Sequence, residues 1–401
     1  MEWILESLAS LQIDVQSATA STSSAPSEDF IPSPRPEQLN DYVHVIHDPL
    51  PDKRPSVEIV FFHGLQFERS EGAYLKTWLS KDGTQIWIKW ILDEFADARI
   101  LVMSYDAAFR KTDSDGTMEM FTTGENLVSS LIDERAQIGQ DGCPVLLVGH
   151  CLGGLVMKEI CLQAHSVLPI NPSYRRVQNF LNNIKGLFYY ATPNHGTEVA
   201  EISTQFRKGH LVKGLSILNK RAARRNYQFS MLRKQYCWKA LGVGEGREIT
   251  LGAFKGYFVV EASARNDVDT FYTVAANHFD VCRPDSKTSS SFHLLMDFVR
   301  DTVEEDEARQ RFKIHIPEEV VGVRSQIFSV RNKLRKEQRL AIIGIGGIGK
   351  TTLANAVYTS ISVSFEYACF LEDVKEIMSK NEKADDLRAK IIGNLCWRGH
   401  L

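Results

Sequence analysis

Five short apolar runs divide the chain: VEIVFFHG (57–64), ARILVMSY (98–105), PVLLVGHC (144–151), IKGLFYYATP (184–193) and GYFVVEAS (256–263). Their apolar positions are continuous rather than alternating, which predicts strands buried on both faces. Between the runs the spacing changes to that of helices, so the prediction is a parallel α/β sheet. After the third run, Leu152, Val156 and Ile160 fall on one helical face. In SSSFHLLMDFVRDTV, Phe292, Leu295, Met296 and Val299 do the same behind a run of serines, and this helix closes the first domain. EEDEARQR (304–311) reads as a solvated linker or helix end. A further apolar strand, Leu340 to Ile343, precedes a helix with Leu353, Val357 and Ile361 on one face, and opens a second α/β unit.

Residues 17–36, SATASTSSAPSEDFIPSPRP, cannot bury enough apolar surface to order themselves. The division expected is a flexible leader over 1–40, an α/β domain over 41–303, a linker over 304–335 and the second unit over 336–401. With 401 residues, 43% hydrophobic content and a net charge of -3, the chain reads as a soluble globular protein, with no nucleic-acid partner expected. No apolar run reaches the roughly 20 residues of a membrane span, and MEWILESLAS lacks the basic start of a secretory signal. Seven scattered cysteines without CxxC spacing point to a reduced, cytoplasmic compartment and give no support for zinc.

The chemistry concentrates in VLLVGHCLGGLV (145–156). An apolar strand, small residues around one nucleophile and an outgoing helix form the pattern of a nucleophile elbow. The residue in the nucleophile position is Cys151. In VFFHGL (60–65) a strand ends in His-Gly, which brings a backbone N–H, that of Leu65, beside the nucleophile; the N–H of Leu152 is the other expected oxyanion donor. ANHFDVCRP (276–284) places His278 after the last expected strand, as general base. The acid is expected just after GYFVV, with Glu261, Asp267 and Asp269 as candidates. A thiol at a helix N-terminus beside an imidazole forms a thiolate readily, so cysteine can serve as nucleophile through a thioester. The other reading is a retired elbow that tolerates a small residue. The basic stretch RKGHLVKGLSILNKRAARRN (207–226) lies where lids are inserted, and reads either as a solvated helix face or as a contact for an anionic headgroup or acyl substrate.

Residues 344–352, GIGGIGKTT, match the phosphate loop G-x-x-x-x-G-K-[ST]. Gly344, Gly346, Gly347, Ile348 and Gly349 would bring backbone N–H groups to the phosphates of ADP or ATP. Lys350 would reach the β- and γ-phosphates, Thr351 would ligate Mg²⁺, and Thr352 continues the motif. A Walker B strand with its acidic Mg²⁺ ligand is expected farther along and is not found before Leu401, so a weak or incomplete site is expected.

HGL, GHCLGG, YYATPNHGTEVA and NHFDVCRP together resemble the lipase-like α/β-hydrolases of the serine-active-site-containing type, over roughly residues 55–300. In that family the elbow reads GHSLGG and the later segment reads like TPHRG, where this chain has Thr192-Pro193-Asn194-His195-Gly196. The resemblance implies Cys151 as nucleophile and His278 as base. The family's glutamate before a Ser-Ala pair implies Glu261 as the acid, with Asp267 second. GIGGIGKTTLANAVY, SFEYACFLEDVKE (364–376) and VVGVRSQIFSVRNKL (320–334) resemble the front of the NB-ARC module of plant immune receptors. The combination is similar to hydrolase-type nucleotide-binding immune receptors, and implies an ester or lipid substrate, a bound nucleotide and signalling protein partners. The alternatives are a retired hydrolase fold used as an interaction scaffold, and a free-standing lipase or esterase.

Overall fold

The computed structural model describes residues 36–49, 53–64, 72–105, 117–140, 142–167, 173–194, 211–251, 254–311, 323–334, 339–362, 367–371, 391 and 396–397. Two compact units divide between Thr302 and Val303.

The first unit is built on one eight-stranded sheet. Its strands are β1 (Glu37–Gln38), β2 (Val43–His47), β3 (Glu58–Phe62), β4 (Arg99–Met103), β5 (Val145–His150), β6 (Ile184–Tyr190), β7 (Lys239–Glu245) and β10 (Thr270–Val274). A small hairpin, β8 (Ile249–Leu251) with β9 (Phe254–Gly256), is inserted before β10. The spatial order is β1-β2-β4-β3-β5-β6-β7-β10. β2 runs antiparallel to β1 and β4, and every pairing from β4 onward is parallel. The carboxyl ends of β3, β5, β6, β7 and β10 therefore open on one edge, where ligands of such sheets bind.

β3, β4 and β5 are buried along their whole lengths, as expected of strands covered on both faces. Val60 and Phe62 pack with Leu127 and Leu131 of α2 (Thr117–Ile132), Met157 and Ile160 of α3 (Leu152–Val167), and Phe180 of α4 (Tyr174–Asn183). The alternate residue Phe61 turns to the other face, against Trp78 and Trp87. Trp87 in turn meets Phe292 of the long helix α7 (Ser290–Arg311). α7 buries Phe292, Leu295, Met296 and Val299, and its helix extends through the acidic stretch 304–311. On α3 the buried face is centred on Met157, Ile160, Cys161 and Ala164, with Leu152 and Val156 half-buried at its margin.

Five features differ from the sequence expectation. Glu37–Gln38, expected in the flexible leader, pairs with β2 as β1. Leu340 to Ile343, expected as a strand, forms none, and Ile343 is exposed instead of buried. The other three lie in the first unit. β7, KALGVGE, carries too few large apolar residues to stand out, because Gly242 and Gly244 lie under the ring of Phe271 on β10. A Cβ at Gly244 would come within 2.5 Å of that ring. GYFVVEAS is not a strand: Gly256 ends β9, and Glu261–Ala264 forms the short helix α6. β10 is an edge strand whose residues are mostly exposed, so its apolar signal is weak.

The segment between β6 and β7 contains the helix α5 (Leu211–Tyr236), with α1 (Ala73–Lys76) lying earlier in the chain. The second unit contains α8 (Val323–Leu334), α9 (Lys350–Ile361) and a short antiparallel pair, β11 (Tyr367–Ala368) with β12 (Cys396–Trp397). Among the described residues, no helix is long and apolar enough to cross a membrane.

Candidate active site

Cys151 sits at the turn from β5 into α3 with φ at +51°, the left-handed region that costs a side-chain-bearing residue energy. The surrounding glycines make this turn possible. A Cβ on Gly153 would lie 2.1 Å from the Phe62 carbonyl oxygen, one on Gly154 would strike Thr192, and one on Gly149 would strike Met157 and the backbone of Gly154. The Cys151 N–H donates to the Tyr190 carbonyl at 2.9 Å, fixing the turn to β6. Leu152 is the first residue of α3, and the first N–H groups of a helix have no partner within it.

The His-Gly pair after β3 packs directly on this turn. A Cβ on Gly64 would come 2.8 Å from His150 Nδ1 and 3.0 Å from Cys151 Cβ. The ring of His63 stacks on Tyr105, with centroids 4.1 Å apart, and the Tyr105 hydroxyl donates to the His63 carbonyl. Burial lowers the pKa of His63 to about 4, so its ring is neutral near pH 7. Leu65, the expected oxyanion donor of this loop, lies outside the described residues.

His278 lies in the turn after β10. Asn277 Oδ1 accepts the N–H groups of Phe279 and Asp280, each at 3.0 Å, and this shapes the turn. The ring of His278 is buried between Phe258, at a centroid distance of 4.2 Å, and the edge of Phe279. The charge of Cys151 acts on this ring. Its Nδ1–H donates to Glu245 Oε1 at 2.7 Å. Burial depresses the His278 pKa, but the Cys151 charge, followed by Glu245, outweighs it and raises the value to about 9.

The acid beside the histidine is thus Glu245, the last residue of β7, and not Glu261. The Glu245 carboxylate is fully buried and also accepts the N–H groups of Phe258 at 3.0 Å and Val259 at 2.8 Å. GYFVV therefore supplies hydrogen-bond donors to the acid rather than the acid itself. Every carboxylate expected from the sequence is engaged by an arginine. Glu261 is half-exposed and pairs with Arg265, while Asp267 and Asp269 both pair with Arg233 of α5. The sequence signal for Glu245 was a carboxylate at a strand end between Gly244 and Gly246. On α5, Arg225 pairs with Glu159 of α3, so at this position the basic stretch anchors a helix.

This strand order, with Cys151 on the turn after β5 and His278 after the last strand, is the α/β-hydrolase fold. No protein-family model matches the chain. The chain is 25% identical over 296 residues to Protein SERAC1 of Bos taurus, covering 68% of this chain and 43% of that protein. It thus spans about two-fifths of the length of this curated relative. A 68-residue stretch is 35% identical to Disease resistance protein RPV1 of Vitis rotundifolia, covering 16% of this chain and 5% of that protein. Among solved structures, esterase B of Lactobacillus rhamnosis aligns with a TM-score of 0.41 and 14% identity, over 76% of this chain and 98% of its own.

The phosphate-loop sequence forms a turn that enters α9. Gly347 and Gly349 have φ of +76° and +88°, and Gly349 caps the helix. A Cβ on Gly346, Gly347 or Gly349 would meet no described residue within 4 Å. Lys350 Nζ donates to the Ile345 carbonyl at 2.7 Å, laying the ammonium group across the loop. The side chains of Ile343, Ile345 and Ile348 are exposed.

Proposed function

We propose that the first unit is a thiol-dependent hydrolase of carboxylic esters or thioesters that acts through an acyl-Cys151 intermediate. The supporting observation is the buried His278–Glu245 pair, with Cys151 on the elbow as the charge that acts most strongly to raise the His278 pKa. In this mechanism the Cys151 thiolate attacks the substrate carbonyl and a carbon–sulfur bond forms. The N–H of Leu152 donates to the developing oxyanion, with Leu65 as the second donor. Protonated His278 then gives its proton to the departing alkoxide or thiolate.

Deacylation needs His278 in the opposite state. The Cys151 charge is the largest contribution raising the His278 pKa. Acylation removes that charge, so burial then pulls the imidazole toward its neutral form. His278 becomes able to take a proton from water just when hydrolysis of the thioester requires it. Glu245 holds the ring in place through both steps.

The test is intact-mass analysis during reaction with a short-chain p-nitrophenyl ester. An initial burst and an acyl adduct on Cys151 are expected, and both should vanish in Cys151→Ala. Steady turnover at the parent rate in that variant would remove the thiol from the mechanism and favour a role as a scaffold for partners.

For the second unit the proposal is a nucleotide site at residues 344–352. The open glycine loop and the Lys350 ammonium at a helix N-terminus fit the phosphates of ADP or ATP. Lys350 would hold phosphate oxygens, and the Thr351 hydroxyl would face the Mg²⁺ that neutralises them. The wider form of the proposal is a nucleotide-switched, immune-receptor-like protein of a reducing, cytoplasmic compartment, in which the hydrolase unit engages signalling partners. It is supported by the short likeness to plant disease resistance proteins.

A further inference from the structure

We infer that His150 is a positioning residue for the base: its neutral imidazole holds the backbone of His278 so that the His278 ring reaches Cys151. The two residues are 128 positions apart in the chain, yet His150 Nε2 lies 2.9 Å from the His278 carbonyl oxygen. A carbonyl only accepts, so Nε2 carries the hydrogen and donates it. The rings also lie against each other, with centroids 5.0 Å apart.

The topology explains why such a tie is needed. β10, which leads into the base, is separated from β5 by β6 and β7. At the usual spacing of neighbouring strands the histidine turn must reach back across roughly 14 Å. The bond from His150 ties the His278 backbone directly to the residue next to Cys151 in the chain. The distance between thiol and base is then set at the elbow itself and not by three strand spacings.

The tie also requires His150 to stay neutral. The titratable and charged groups that act on it are His278, Arg283 and His63. Burial and these groups lower its pKa to about 3. Its Nδ1 is buried and has no hydrogen-bond partner among the described residues. It also faces Gly64, where an added Cβ would lie only 2.8 Å away. With Nε2–H committed to the carbonyl, protonating Nδ1 would place a second buried cation beside His278.

The experiment compares His150→Gln, which keeps an N–H donor at the end of its side chain, with His150→Leu, which has none. The readout is the titration of the His278 ring by NMR in histidine-labelled protein. In the parent protein the midpoint is expected near 9. It should stay there in His150→Gln and fall toward the ordinary histidine range in His150→Leu, as the ring leaves Cys151 and Glu245. An unmoved midpoint in a folded His150→Leu protein, even with a lowered melting temperature, would show a merely structural role and overturn the inference. If His150→Leu does not fold, the parent protein decides. The His150 ring should show a protonated Nε2 and a bare Nδ1 from pH 5 to 9, and a His150 that titrates in that range overturns the inference. The inference builds on the proposed thiol mechanism, but the NMR readout needs no substrate. Failure to hydrolyse esters would therefore sink the mechanism without changing this result. With a working substrate, His150→Leu should lose about 10- to 100-fold in kcat with KM little changed, the usual cost of a misplaced catalytic group, and His150→Gln should recover most of it.

Discussion

The elbow at 149–154 and the glycine-rich turn at 344–352, which carries the phosphate-loop sequence, use the same local device in opposite ways. Each is an apolar segment, a glycine-rich turn and a helix, and each puts a left-handed residue before the helix: Cys151 at +51° and Gly349 at +88°. At the elbow the glycines are filled space, and every added Cβ would strike neighbouring protein. In the 344–352 turn, an added Cβ at three of the glycines would meet no described residue within 4 Å. Glycine at the elbow lets protein approach protein, so that one side chain is aimed. Glycine in the second turn meets no described residue, which fits the proposed role of keeping backbone N–H groups clear for phosphates.

The strongest way to break this contrast is to add the same methyl group to each site. Gly153→Ala drives a Cβ into the Phe62 carbonyl and should cost about 3 kcal/mol or more, in the upper range for overpacking a core. Gly346→Ala should stay within about 0.5 kcal/mol, as substitutions in open positions do. Urea denaturation of both variants checks this, and equal losses would end the comparison.

The two sites also differ in their dependence on distant residues. Glu245→Gln should lower kcat by roughly 100-fold or more through loss of the charge that orients and supports the His278 imidazolium. Glu261→Gln should leave kcat unchanged, because that carboxylate meets Arg265 on the surface. Ester turnover by the two variants distinguishes the structural acid from the one implied by family resemblance.

A smaller effect sharpens the elbow's side. His63 and His150 are buried neutral, with pKa values lowered to about 4 and about 3. Their contribution to stability is present above the ordinary value of 6.5 and is lost as pH falls toward the folded values. At pH 4.5 each should cost roughly 2–3 kcal/mol relative to pH 7. Urea denaturation at the two pH values should show the loss, and His63→Gln should reduce the difference between them.

The smallest stability effect belongs to the loop. Lys350→Ala removes an exposed ammonium and should leave the unfolding midpoint within about 0.5 kcal/mol of the parent. It should weaken ADP or ATP binding by at least about tenfold, the scale of one charge-assisted phosphate contact. Calorimetry with ADP and Mg²⁺ measures it. Unchanged affinity would take the phosphate-loop explanation away.

Elements whose information is local can be read directly from the chain. The elbow, the glycine-rich turn into α9 and the central strands β3 to β6 are written in neighbouring residues, because strand burial, tight turns and helix faces each act over a few positions. Cys151 and His278 were recognisable for the same reason, one from its glycines and the other from its place before the closing helix. Which carboxylate meets His278 emerges only when the strands come together. Glu245 and His278 are 33 residues apart, and β7 is disguised by glycines that make sense only under the Phe271 ring. Glu261, Asp267 and Asp269 look equally available along the chain, but arginines claim all three once it is folded. The role of His150 is hidden likewise, since its partner is a backbone carbonyl 128 residues away. A backbone acceptor exists at every residue, so no side-chain pattern can point to it; only the meeting of strand ends across the sheet selects one.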